Sequence, residues 1–72
     1  MVLATLDYSD HFVALGNTKG EAQRAMQAAW RKHRAQTGAS DRWADVRDDV
    51  NYAEIQPGQC LRDGSLLAES RA

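Results

Sequence analysis

The chain has 72 residues, a formal net charge of −1 and 43% hydrophobic residues, and it reads as one small domain, residues 1–72. At this length folding buries only roughly 60% of the unfolded surface, so a large core is excluded. The single Cys60 excludes an internal disulfide and gives no cysteine cluster for zinc; no apolar run approaches the length that crosses a membrane.

Residues 2–8 alternate. Val2, Ala4, Leu6 and Tyr8 fall on one side, and Leu3, Thr5 and Asp7 on the other. That period of two predicts a strand with one buried face. Ser9-Asp10 reads as a tight turn. His11 to Leu15 reads as a second strand that Gly16 ends, so the chain opens on a β-hairpin.

The next junction is the sharpest signal in the sequence. Thr18 is a good N-cap, because its hydroxyl can accept an N–H of the first helical turn. Glu21, three residues on, completes a capping-box pattern and puts negative charge at the positive end of the helix dipole. Ala22, Ala25, Met26, Ala29, Trp30 and His33 then make one helical stripe, with Gln23, Arg24, Gln27, Arg31 and Arg34 opposite. Gly38 is a natural stop. The expected helix covers 19–36, and the hairpin is expected to pack on Ala22, Met26, Ala29 and Trp30.

Thr37 to Ser40 reads as a loop. Ser40 is the expected cap of a short second helix reaching about Asp48, with Trp43, Val46 and Val50 on its inner side. Val50 to Ile55 reads as a third strand, halted by the Pro57-Gly58 turn. Gln59 to Arg62 reads as a further strand. Asp63-Gly64 is a favoured hairpin loop, so Ser65 to Ala68 either pairs back or forms a frayed helical turn. The last three residues are expected to be mobile. The resulting order is β-β-α-(short α)-β-(β): an α+β domain in which a small antiparallel sheet of three to four strands packs on one long helix. Such a sheet keeps one face uncovered, and that face is the expected place for a partner or a second copy.

Charge is segregated along the chain. Lys19, Arg24, Arg31, Lys32 and Arg34 make the long helix basic, and Asp41, Asp45, Asp48, Asp49 and Glu54 make the following stretch acidic. The acidic row is the first candidate partner-binding surface, since patches of one sign steer charged partners. Arg24, Arg31, Lys32 and Arg34 are the alternative face, suited to phosphates. No arrangement of residues pairs a nucleophile with a base. His11, His33 and Cys60 lie in three distant segments without the close-spaced ligand pairs typical of structural zinc. His33 extends the apolar helix stripe, His11 follows a turn and is expected to be exposed, and Cys60 is expected to be a small buried hydrophobe. No enzyme activity, cofactor or metal is expected.

The segment Phe12-Val13-Ala14-Leu15-Gly16-Asn17-Thr18-Lys19-Gly20-Glu21-Ala22 resembles the strand–Gly-x-Thr-x-x-Glu-Ala–helix junction of HicB-like antitoxin domains. That resemblance implies a small α+β domain that binds and inhibits a ribonuclease toxin. No helix-turn-helix or ribbon tail accompanies it here, so DNA-binding autoregulation is not implied. In kind, a cysteine-poor, one-domain product of this size also resembles the small inhibitors that phages and mobile elements direct at host defence, anti-CRISPR proteins among them. The Ala-rich, Arg- and Asp-preferring composition resembles coding in GC-rich bacteria and their phages.

The leading expectation is therefore a complete, cytoplasmic, non-enzymatic protein-binding inhibitor of a host nuclease complex, with a homodimer as a further expected association. A HicB-like antitoxin module and a nucleic-acid binder using the basic helix face are the alternatives.

Overall fold

The computed structural model describes residues 1–8, 10–62 and 65–69. Strands β1 (Val2–Asp7) and β2 (His11–Gly16) form the opening hairpin, and helix α1 (Lys19–Thr37) follows. A short helix α2 (Trp43–Val46) runs into a 3-10 turn (Arg47–Asp49) and then strand β3 (Asn51–Glu54). Strands β4 (Gln59–Arg62) and β5 (Ser65–Glu69) end the described chain. The fold is α+β, as the alternation predicts.

The sheet is antiparallel with the order β2-β1-β3, so the first strand is the central one. Leu3 faces Leu15 on one side and Ala53 on the other; Thr5 faces Val13 and Asn51. Strand β3 closes against β1 with Ile55 N donating to the Met1 carbonyl at 2.8 Å. The fourth and fifth strands do not extend this sheet. They pair with each other in a separate hairpin, with a register irregularity between Cys60 and Leu61. Ser65–Glu69 is thus a strand rather than a helical turn. The Asp63-Gly64 loop and the last three residues lie outside the described residues, as does Ser9 of the first turn, which Tyr8 N closes by donating to the Asp10 carbonyl at 3.0 Å. The molecule is elongated, 45 × 21 × 19 Å.

Both ends of α1 are set by local chemistry. Thr18 is extended and its Oγ1 accepts from Glu21 N at 3.1 Å, which satisfies one of the unpaired donors of the first turn. Gly38 is left-handed at φ 72° and donates to the Arg34 carbonyl at 2.8 Å, a conformation that costs glycine nothing because it lacks a Cβ. The second glycine that matters is Gly16. A Cβ there would stand 2.4 Å from the backbone nitrogen of Ala22, so the strand can turn tightly under the helix only without a side chain.

The core is Val2, Ala4 and Leu6 of β1, Ala22, Met26 and Trp30 of α1, and Val46 and Val50, with Phe12, Ala14, Trp43 and Tyr52 packed around them. His33 is buried at the edge of this core. Its ring meets Phe12 edge-on at 5.0 Å and lies 5.1 Å from Trp30, which also meets Tyr8 edge-on at 5.3 Å. Tyr8 itself is exposed at the end of its strand.

Two expectations for α1 and α2 are corrected. Ala25 and Ala29 are exposed, not buried. The buried stripe is narrower, Ala22, Met26, Trp30 and His33, because the helix is also covered along one flank. Trp30 Nε1 donates to the Asp41 carbonyl at 3.0 Å and Arg34 Nε to the Ala39 carbonyl at 3.1 Å. These bonds hold the segment leading to α2 against the flank that carries half-buried Gln23 and Gln27, and they leave the alanine flank bare. Ser40 does not cap α2. Arg42 occupies the N-cap, and its N–H is taken by Asp45 Oδ2 at 2.8 Å. The Trp43, Val46, Val50 spacing nevertheless points inward, since Val46 and Val50 are buried and Trp43 is half-buried.

Candidate functional site

The acidic row does not act as a unit. Asp45 is occupied at the start of α2 by the Arg42 N–H. Glu54 Oε1 accepts from the N-terminal ammonium of Met1 at 3.0 Å, with both groups well exposed. Asp41 contributes its carbonyl to Trp30. Asp48 and Asp49 are exposed side by side in the 3-10 turn. The Asp45 and Glu54 carboxylates therefore have structural work, Asp41 is engaged through its main chain, and Asp48 and Asp49 are adjacent carboxylates with solvent around them. Exposed charges of this kind steer an approaching partner more than they hold it.

The basic face is similarly divided. Arg24, Arg31 and Lys32 are exposed, whereas Arg34 is half-buried with its Nε committed to the Ala39 carbonyl. Lys19 stands apart at the start of the helix, its Nζ 4.8 Å above the ring of Tyr52, a cation–π contact. The hydroxyl of Tyr52 is buried and has no hydrogen-bond partner. Burial pushes its pKa above the ordinary tyrosine value, because the phenolate would lose its hydration.

The histidines are both near carboxylates at the hairpin turn. His11 Nδ1 meets Asp7 Oδ1 in a short contact, with both side chains exposed. Buried His33 Nδ1 lies 3.8 Å from Asp10 Oδ2, beyond hydrogen-bond reach. Among the described residues no group of three His, Cys, Asp or Glu side chains is placed to hold a metal ion. Cys60 is exposed, contrary to the expectation of a buried hydrophobe. It belongs to the separate β4–β5 hairpin, which lies outside the sheet that α1 covers.

What the structure brings together is an apolar surface. The face of the sheet opposite α1 carries Leu3 and Thr5 of β1, Val13 and Leu15 of β2, and Asn51 and Ala53 of β3, set beside one another by the register. Val13 is 56% exposed and Leu15 52%. Met1, also exposed, joins Leu15, Gly16, Asn17 and Glu21 around a shallow recess at one end of that face. Exposed apolar residues are ordinary singly; here Leu3, Leu15 and Ala53 form one row of the face, and Val13 adjoins polar Thr5 and Asn51 in the next. The strand alternation signals this face directly. If Phe12 and Ala14 face the helix, Val13 and Leu15 must face away.

Among the described residues no helix is long and apolar enough to cross a membrane. No protein-family model, curated protein or solved structure shows significant similarity to this chain.

Proposed function

We propose that this chain is a non-enzymatic binding protein that acts by occupying a surface of a larger protein. The observation that carries the reading is the open sheet face, where Val13 and Leu15 stand more than half exposed beside Leu3 and Ala53. Covering such side chains contributes about 25 cal/mol per Å² of apolar surface removed from water. The exposed Asp48–Asp49 pair supplies a field that draws in a basic surface, and proteins that handle nucleic acid carry such surfaces. The setting we favour is a phage or mobile-element inhibitor of a bacterial defence nuclease, of the anti-CRISPR type. A HicB-like inhibitor of a ribonuclease would use the same apolar face.

The test is binding of the full chain to purified nuclease effector complexes and to small ribonuclease toxins, with nuclease activity as the second readout. Stoichiometric binding that inhibits cleavage is the expected result. Leu15→Asp should abolish it while circular dichroism stays unchanged, and Asp48→Asn with Asp49→Asn should slow association without removing it. Binding and inhibition untouched by Leu15→Asp would overturn the assignment of the face. Salt-sensitive binding to bare DNA or RNA that is lost in Arg24→Ala with Arg31→Ala would favour the helix-face alternative instead.

A further inference from the structure

The two edges of the three-stranded sheet are not alike. Strand β3 is short and carries Glu54, already paired with the N-terminus, and polar Asn51. Strand β2 is longer and reads His-Phe-Val-Ala-Leu-Gly. It has no Lys, Arg, Asp, Glu or Pro, the residues with which proteins ordinarily blunt a strand edge. Its inner side is fully paired with β1 from His11 to Gly16. Its outer row of backbone groups faces away from the sheet.

The bare flank of α1 lies on this same side. The helix packs on both β1 and β2, and it runs antiparallel to β2, since Phe12 touches His33 and Trp30 while Gly16 abuts Ala22. Its other flank is held by the Ala39 and Asp41 carbonyls in the segment that leads to α2 and β3. The uncovered flank presents Glu21, Ala25, Ala29 and Lys32, spaced by four, four and three residues and all exposed. Read along the helix the row is acid, alanine, alanine, base. Turned end for end it meets itself with opposite charges opposed and alanine on alanine. Neither Glu21 nor Lys32 is in an ion pair among the described residues.

We propose that a second copy of this chain docks here, pairing β2 with its counterpart antiparallel to make one continuous six-stranded sheet. The dimensions agree with a two-fold axis at this edge. Paired strands lie about 4.8 Å apart. Helices that each straddle β1 and β2 then come to rest roughly two strand spacings apart, close to the 8–10 Å of packed helices, and small side chains permit the lower end. Gly16 meets α1 near one end of the row and Phe12 meets it near the other, so the middle of the row lies over the middle of β2 and one axis serves strand and helix alike. Each Lys32 comes beside the partner's Glu21, and this interface is isologous, as dimer interfaces of two-fold symmetry must be. On the open face the Val13 and Leu15 strips of the two copies become neighbours. This inference concerns self-association and does not depend on the target proposed above.

Sedimentation velocity of the full chain across a wide concentration range tests it. A concentration-dependent dimer is expected. Val13→Lys and Ala25→Glu, both at exposed positions, should each raise the dimer dissociation constant at least about tenfold with the circular dichroism spectrum unchanged; Ala29→Arg replaces Ala25→Glu if that variant unfolds. Glu21→Lys and Lys32→Glu should each weaken the dimer, and the two together should restore it. A wild-type chain that stays monomeric throughout, a dimer indifferent to either the strand or the helix substitution, or a double charge reversal that fails to restore association would each overturn the proposal.

Discussion

The two faces of the sheet are built from the same strands and the same residue types, yet they have opposite fates. On the covered face Val2, Ala4 and Leu6 are buried under Met26 and Trp30. On the open face Val13 and Leu15 remain more than half exposed. The difference lies in how much helix the chain possesses rather than in the strands. Among the described residues one long helix and one short one cover a single face of the three strands. The covered face holds the fold together, and the open face leaves apolar side chains in contact with solvent.

Substitutions on the two faces should separate these roles. The largest effect is expected on the covered face at Trp30, which is 1% exposed and touches Tyr8, Phe12 and His33. Trp30→Ala should cost about 3–5 kcal/mol through lost burial and the cavity left behind, a large part of the stability of a small domain; urea denaturation would read it. Gly16→Ala should come next, at about 1–3 kcal/mol, because the new methyl meets the backbone of Ala22 rather than a movable side chain. If its midpoint matches wild type, the tight strand–helix approach is not what fixes this junction.

On the open face the same measurement should barely respond. Leu15→Ser is expected within about 0.5 kcal/mol of wild type, as for surface positions generally, while any association through that face weakens. A loss of stability as large as that of Trp30→Ala would mean that Leu15 belongs to the core and would erase the contrast.

The smallest expected effect is confined to alkaline solution. Tyr52 is packed against the core and its pKa is raised by desolvation. A group whose folded pKa lies above its unfolded value holds its contribution below the unfolded pKa, about 10 for tyrosine, and loses it as pH rises through the folded value. Stability should therefore fall above about pH 10 in wild type and fall less in Tyr52→Phe. At neutral pH that variant should be neutral or slightly more stable, since it removes a buried hydroxyl without a partner. Equal alkaline losses in the two proteins would show that Tyr52 is not the group responsible.

Several features of this protein are written in short stretches of sequence. Thr18 and Gly38 bound α1 because capping and left-handed backbone are decided within a few residues. The alternation of residues 2–7 and the strand from His11 to Gly16 make a hairpin whose faces follow from the pleat alone. The inward spacing of Trp43, Val46 and Val50 is local in the same sense. Candidate sites were less legible. The acidic row looks continuous in sequence, but Asp45 and Glu54 are taken up by the Arg42 N–H and the N-terminal ammonium, partners that only the folded chain supplies.

The tertiary structure alone decided which flank of α1 is covered. Alanine suits a buried helix flank and an exposed one equally, so Ala25 and Ala29 carry no signal of their own. The decision was made by Trp30 and Arg34, whose hydrogen bonds to the Asp41 and Ala39 carbonyls fold the following segment onto the opposite flank. It also set the last two strands apart as their own hairpin and made the first strand the centre of the sheet. Strand order depends on pairings between residues far apart in the chain, such as Val2 with Glu54, and no local pattern encodes them.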